Sequence, residues 1–309
     1  MTAGEPVPPS PPQPSVDSMK TIAPSLRRNL FLQALILVMM TPGLILYPVP
    51  VAANPVGPDV VAGNVNFQGL GTPQLDINNL TNGGNGRAVI NWQSFSIDAG
   101  EVTRVNQGAG GFTLNRVTGG DASAIYGRLE AAQGGVAVIN PNGILVGPGG
   151  VVDVGGLAVL STLGVDNADF LAGGATNRFY GDTSTGVTNF GTITSSAGDV
   201  VLMGGFVDNQ GQIGALNGTV AIGAGGDILL HQGGGSKISV RGSSDYAGTG
   251  INNAEGATVE GASVELKAHG NVYALAINNG GAVRASGAAR SGGRVLLRAS
   301  GGSSNIQLG

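Results

Sequence analysis

A chain of 309 residues with 56 glycines, no cysteine and 11% charged residues exceeds the roughly 7% glycine of ordinary domains. It has no G-X-Y period, and its valine, isoleucine and leucine content is too high for a disordered polymer. The net charge of −4 comes without a basic block or aromatic platform, which argues against a nucleic-acid partner, and the missing cysteines exclude disulfides, thiolate metal sites and thiol catalysis.

Residues 1–18, "MTAGEPVPPSPPQPSVDS", form a Pro-rich leader without a folding pattern. Met19 offers a second translation start that would leave this leader out. Residues 19–53 read as a signal peptide: Lys20, Arg27 and Arg28 precede an apolar run, and Val51-Ala52-Ala53 supplies small residues for cleavage after Ala53. The stretch Leu30 to Tyr47 also nears the length of a membrane anchor, although Pro42-Gly43 interrupts it.

Beyond residue 60 no long apolar pattern with the helical period occurs; short apolar runs alternate with Gly and Asn turns. "NFGTITSSAGDVVLMGG" from Asn189 and "NQGQIGALNGTVAIGAG" from Asn209 align at an offset of 20, matching Asn189 with Asn209, Ile193 with Ile213 and Val200 with Val220. A looser echo links "NNAEGATVEGASVELKA" from Asn252 to "NNGGAVRASG" from Asn278. A period near 20 residues with short strands predicts an all-β solenoid, a single-stranded parallel β-helix of about 10–12 coils. Equivalent apolar residues would stack inside, and equivalent asparagines would stack as amide ladders. A sandwich of hairpins also gives regularly spaced short strands, but needs no recurring residue at one phase.

Three blocks stand out within the first half. In "AVINWQSFSIDAGEVTRVNQ" (Ala88–Gln107), Phe95 and Ile97 alternate with polar residues as in a half-buried strand. Trp92, the one tryptophan, either packs at an end of the solenoid or meets a ligand. In "TLNRVTGGDASAIYGRLEA" (Thr113–Ala131), Asn115, Arg116 and Asp121 flank the Gly119-Gly120 turn. Arg116 and Asp121 read as a partner contact or as a local ion pair bracing that turn. In "GGVAVINPNGILVGPGGVVDVGGLAVLST" (Gly134–Thr162), two apolar runs are split by Asn140-Pro141-Asn142-Gly143. Pro141 fixes its own φ and extends Asn140, Asn142-Gly143 suits positive φ, and both amides can cap open backbone groups.

In order and spacing these blocks resemble the N-terminal secretion domains of filamentous haemagglutinin-type proteins, the exported partners of bacterial two-partner secretion. The resemblance is strongest over residues 60–165. It implies a right-handed parallel β-helix, with the secretion domain at 54–165 and a β-helix repeat continuation at 166–309. It implies a protein secreted, or held at the cell surface, after passing the periplasm. The partner it implies is an outer-membrane β-barrel transporter with periplasmic recognition modules. It also implies adhesion or haemagglutination-like binding of a host or cell-surface glycan or protein. Asn140, Pro141, Asn142 and Gly143 would be the secretion motif, and Asn115, Arg116, Gly119, Gly120 and Asp121 a secondary motif. The Asn-Pro-Asn-Leu motif of some members is absent. The motif asparagines could be read by a partner or could hold a coil corner, and turn chemistry alone does not separate the two.

An enzyme on this fold would need clustered carboxylates with supporting groups. Asp98 with Glu101 and Asp166 with Asp169 lack basic partners at coil spacing, and His231 and His269 fall in no metal-ligand motif. Arg284, Arg290, Arg294 and Arg298 read as a solvated basic face, with an acidic glycan as the alternative. The expectation is a monomeric, cofactor-free, non-enzymatic exoprotein. The competing readings are a carbohydrate-active β-helix enzyme and a structural cell-envelope protein retained by an uncleaved signal.

Overall fold

The computed structural model describes residues 54–81, 86–233, 236–242, 244, 246–269 and 276–286, and the backbone of 295–300. The leader, the signal segment with Ala53, and Arg290 and Arg294 lie outside the described residues.

Strands β1 (Val56–Ala62) and β2 (Val65–Gln68) come first, and the chain then coils. The first rung is β3 (Gln74–Asn79) and β4 (Arg87–Ser94); the second is β5 (Val102–Asn106) and β6 (Phe112–Val117). The third is β7 (Ser123–Ile125), β8 (Arg128–Ala131) and β9 (Gly135–Ile139). The fourth is β10 (Ile144–Val146), β11 (Val151–Val154) and β12 (Ala158–Ser161). An excursion follows: β13 (Gly164–Val165), the short helix α1 (Asn167–Ala172) and β14 (Thr176–Tyr180). Rung five is β15 (Gly186–Asn189), β16 (Thr192–Ser195) and β17 (Val200–Gly204), and rung six is β18 (Phe206–Asn209) and the long β19 (Gln212–Ala224). A second excursion, β20 (Asp227–His231) and β21 (Ile238–Gly242), precedes rung seven, β22 (Ile251–Asn253) and the long β23 (Thr258–His269). Rung eight is β24 (Ile277–Asn279), β25 (Ala282–Ala285) and β26 (Val295–Ser300).

Each rung pairs in parallel with the next, giving three stacks. The first is β3-β5-β8-β11-β16-β19-β23-β25, the second β4-β6-β9-β12-β17-β19-β23-β26, and the third β7-β10-β15-β18-β22-β24. β19 and β23 bend and serve two stacks, β19 pairing with β16 through Gln212–Gly214 and with β17 through Val220–Ala224. The fold is therefore the parallel β-helix that the repeat predicts. The aligned residues sit directly over one another: Asn189 on Asn209, Ile193 on Ile213, Val200 on Val220, and Asn252 on Asn278.

Eight rungs are found among the described residues, fewer than the expected 10–12. The difference lies in chain spent elsewhere. β1 lies antiparallel to β4 and β2 antiparallel to β3, so both stacks that start in rung one begin with a reversed strand. This closes sheet edges that would otherwise template foreign strands. Asn54 ties the cap down, accepting from Thr103 Oγ1 at 2.8 Å and donating to the Thr72 carbonyl at 2.7 Å. Trp92 is fully buried beneath this cap, edge-on to Phe67 and Phe95, which settles it as a packing residue.

The excursions build a separate antiparallel sheet, β13-β14-β20-β21, laid over the outside of the second stack. A second apolar core forms there from Leu114, Ile139, Val159, Val201 and Met203 of the stack with Phe170, Phe179, Ile228 and Ile238 of the cover. This is why β9 (GVAVI) and β17 (VVLMG) are buried at every position: strands covered on both faces lose the apolar–polar alternation. Arg87 fastens α1, its guanidinium carbon 5.1 Å from the Phe112 ring centre and 4.9 Å from that of Phe170. At the far end β21 docks through the buried Glu265 carboxylate. It accepts from the backbone N–H of Lys237 at 2.9 Å and of Ile238 at 3.3 Å, from Ser236 Oγ, and from Lys267 Nζ at 2.7 Å.

One corner of the helix interior is polar. Asn189 Nδ2 donates to Asn209 Oδ1 at 2.8 Å, Asn209 to Asn253 at 2.8 Å and Asn253 to Asn279 at 2.7 Å, and all four side chains are buried. Asn189 Oδ1 and Asn209 Oδ1 also take backbone donors, from the Gly191 and Gly211 N–H groups. A buried amide without such partners would cost about 1–3 kcal/mol, so the ladder fixes which asparagine faces which.

Asn209→Leu leaves a donor on Asn189 and an acceptor on Asn253 unmatched. It is expected to lower the unfolding free energy by roughly 2 kcal/mol or more, measured by urea titration. Burial pushes the Glu265 carboxyl up, but the bonds from Lys267, Lys237 and Ile238 outweigh this and hold it below the usual carboxylate value. A depressed carboxylate stabilises the fold above its unfolded value, about 4.3, and that stability is lost as pH falls through the folded value. Amide protection in β21 is expected to drop below about pH 4 while protection in β9 and β12 persists, and Glu265→Gln is expected to flatten that dependence in hydrogen exchange.

Candidate functional site

Asn140-Pro141-Asn142-Gly143 forms the corner between β9 and β10, where the chain leaves the second stack for the third. Asn140 is extended by the following proline, and Gly143 closes the turn at φ +115, a region open to glycine and costly for other residues. The Gly143 N–H returns to the Asn140 carbonyl at 3.1 Å, and the Asn142 N–H donates to Asn140 Oδ1 at 2.9 Å. This Asx turn replaces backbone bonds that the corner leaves open.

The corner's side chains reach down one rung. Asn140 Nδ2 donates to the Asp121 carbonyl and to Ser123 Oγ, both at 2.9 Å, and Asn142 Nδ2 to the Gly119 carbonyl at 2.8 Å. The rung above reaches back, Thr185 Oγ1 donating to the Pro141 carbonyl at 2.7 Å. Three consecutive rungs are thereby joined at one point. Asn140 is fully buried, Asn142 half-buried, and Pro141, Gly120 and Asp121 exposed.

The secondary motif is the lower half of this joint. A Cβ on Gly119 would stand 2.1 Å from the Gln93 carbonyl oxygen, so the turn passes too close to the rung below for any side chain. Gly120 faces open space. Asn115 is fully buried, accepting from Trp92 Nε1 at 3.0 Å and donating to the Ala137 carbonyl at 3.3 Å. It carries the tie through the second stack across rungs one to three. The ion pair expected between Arg116 and Asp121 is not formed. Arg116 sits in β6 facing the cover and donates to Asn167 Oδ1 and the Val165 carbonyl, each at 2.7 Å. Burial lowers its guanidinium, and Asp166 partly restores it. Asp121 contributes its backbone carbonyl, not its carboxylate.

Ser123 and Thr185 complete the joint and carry no motif in the sequence. Ser123 lies 17 residues before Asn140, about one rung back, and a register argument could have found it. Thr185 follows the excursion, which hides its phase.

The acidic pairs form no reactive arrangement. Glu101 folds onto the Asp98 N–H at 3.0 Å, and Asp166 takes the Tyr180 hydroxyl at 3.3 Å. His231 spans the cover sheet between Thr176 Oγ1 and Ser239 Oγ. Among the described residues no group of three or more His, Cys, Asp or Glu could hold a metal ion, and no helix is long and apolar enough to cross a membrane.

The family model described as "TPS secretion domain" matches residues 57–308. A curated relative from Haemophilus influenzae, "Heme/hemopexin-binding protein", is 34% identical over 170 residues, 53% of this chain and 18% of that one. A second sequence of that name and species is 39% identical over 75 residues, 24% of this chain and 8% of the relative. The chain thus spans less than a fifth of the length of the relatives it matches. Among solved structures, the HMW1 secretion domain from Haemophilus influenzae aligns with TM-score 0.54 and 26% identity, covering 80% of this chain and 65% of that one.

Asn140→Ala removes four hydrogen bonds from a buried site and is expected to destabilise the chain by about 2–3 kcal/mol. Pro141→Ala, at an exposed turn, is expected to cost under about 1 kcal/mol, both read from thermal and urea unfolding.

Proposed function

This chain belongs to the TPS secretion-domain family, and on that premise we propose that its asparagine corner serves export by clamping the first rungs as they fold. The protein is an exoprotein that leaves the cell through a partner outer-membrane transporter and reaches the surface or the medium. The observation that carries the clamp reading is the complete burial of Asn140. A side chain with no exposure offers nothing to a partner once folded, whereas its bonds to the Asp121 carbonyl and Ser123 hold the corner to the turn below, and the neighbouring Pro141 carbonyl draws in Thr185 ahead of rung five. A solenoid folds by adding neighbours, so a corner that holds three rungs together favours a first stable unit on the outer side of the membrane.

The surface task is adhesion or haemagglutination-like binding of a host or cell-surface glycan or protein, and the chain is not an enzyme. Support for this comes from the uncovered outer face of the first stack, in contrast to the covered second stack, and from acidic pairs engaged in turns and hydroxyl contacts.

Co-expression with its partner outer-membrane transporter is expected to place the chain in the medium, and deletion of that transporter to trap it inside. The double replacement Asn140→Ala with Asn142→Ala should reduce both export and refolding of the purified chain. Loss of export with unchanged refolding would instead make the asparagines a recognition signal read in the unfolded chain.

A further inference from the structure

The outward positions of the first stack form a column along the helix: Asp76, Arg104, Glu130, Asp153, Thr194, Gly214, Glu260 and Arg284 lie in register from rung to rung. Over the first three rungs the column satisfies itself. Arg104 bridges Asp76 at 3.5 Å and Glu130 at 3.3 Å, Arg128 holds Glu130 at 2.6 Å, and Asn66, Asn78 and Asn106 form an outer amide ladder. From rung four to rung seven this pairing stops. Thr194 donates to Asp153 at 3.3 Å, and among the described residues Glu260 has no ion pair.

Gly214 is the anomaly within that stretch. It is the third residue of β19, without positive φ, and a Cβ there would meet only Thr194 Cγ2, at 3.6 Å. No positive φ and no tight contact demands glycine there; a glycine inside a strand marks a bulge, a bend or a close approach, and the register of β19 shifts just beyond it, between Ala215 and Thr219. Gly214 borders an open hollow of about 430 Å³, also lined by Asp153, Thr194, Gln212, Leu216 and Glu260. A second hollow of about 350 Å³ adjoins it, sharing Thr192 and Gln212 and walled by Phe190. Phe190 is 40% exposed and Leu216 62%. From Asp153 to Glu260 the groove crosses three strand spacings, about 14 Å.

We propose that this groove binds an uncharged, hydroxyl-rich oligosaccharide lying along the helix axis over Gly214. Phe190 and Leu216 offer apolar surfaces for the C–H faces of sugar rings. The Thr192, Thr194, Thr258 and Gln212 side chains can both donate to and accept from hydroxyls, and the Asp153 and Glu260 carboxylates accept from them strongly. The two carboxylates, with no Lys or Arg lining this hollow, disfavour an acidic glycan. The exposed aromatic and aliphatic walls and the neutral floor separate the site from a simple cation trap. This inference deepens the surface-binding reading given above.

The test uses the exported chain recovered from medium, titrated by calorimetry with uncharged hexasaccharides of glucose, galactose, mannose and N-acetylglucosamine, and with hexalysine. At least one sugar is expected to bind, with affinity falling about tenfold or more in Gly214→Val and in Phe190→Ala. Valine suits a strand, so Gly214→Val should unfold no earlier than the parent and should still be exported. Failure of all four sugars, binding indifferent to Gly214→Val, or binding of hexalysine that is lost in Asp153→Asn with Glu260→Gln would each overturn the proposal. Attachment to host cells, scored separately, distinguishes the two readings. A chain that never attaches refutes surface binding itself, and attachment by a chain that binds none of the four sugars refutes only this site.

Discussion

Every rung of this chain can bury its apolar side chains and pair its backbone only against another rung. A single turn of three short strands has no core of its own. The stacking in parallel register places Ile193 on Ile213 and Val200 on Val220, and the rest of the architecture follows from it. Polar residues inside must stack as ladders, because a lone amide would lack a partner. The end of the stack must be capped, because an open rung presents unpaired strand edges. Glycines such as Gly119 appear where one corner passes within contact of the corner beneath.

The features that were legible in the sequence are those with an unbroken period. Between Asn189 and Val220 the offset of 20 residues holds without interruption, and the register there is the one observed. Elsewhere the step from rung to rung is lengthened by excursions. β11 and β16 are 41 residues apart, Val151 facing Thr192, and β19 and β23 are 46 apart, Gln212 facing Thr258. The excursion strands TNRFY and DILLH carry no residue pattern that sets them apart from rung strands, so dividing the chain by one period counted them as solenoid and inflated the rung count. A usable signal existed in β9 and β17, whose apolar residues at consecutive positions announce a covered outer face. Of the site, Asn140 and Asn142 were visible as a turn. Their partners were not, because Gly119 and Asp121 act through backbone carbonyls, which carry no residue-type signature, and Arg116 turned towards residues that only the excursion brings near.

The asparagine corner and the outer groove divide the molecule by kind of residue use. At the corner nearly every polar atom is consumed internally, and the exposed remnant is a proline, a glycine and one carboxylate. Along rungs four to seven of the first stack, polar side chains are held in fixed rows by the sheet and spend little of their hydrogen-bonding capacity on one another. Rigidity is shared by both regions, since each is set by the same strand register, but only the second leaves chemistry facing outward.

The cover sheet has a consequence for timing. Rung neighbours meet after roughly one turn of chain, but β14 must wait for β20, with Thr176 meeting His231 across 55 residues. Until rung six is complete, the outer side of β12 and β17, with Val159, Val201 and Met203, has only the first excursion's Phe170 and Phe179 for a lid, without Ile228 and Ile238. A chain emerging gradually from a pore therefore presents a greasy stripe for an interval set by the speed of delivery. The length of these excursions acts as a clock: slow passage prolongs the sticky stage, and crowding of nascent chains at one exit would turn it into a risk of mutual entanglement.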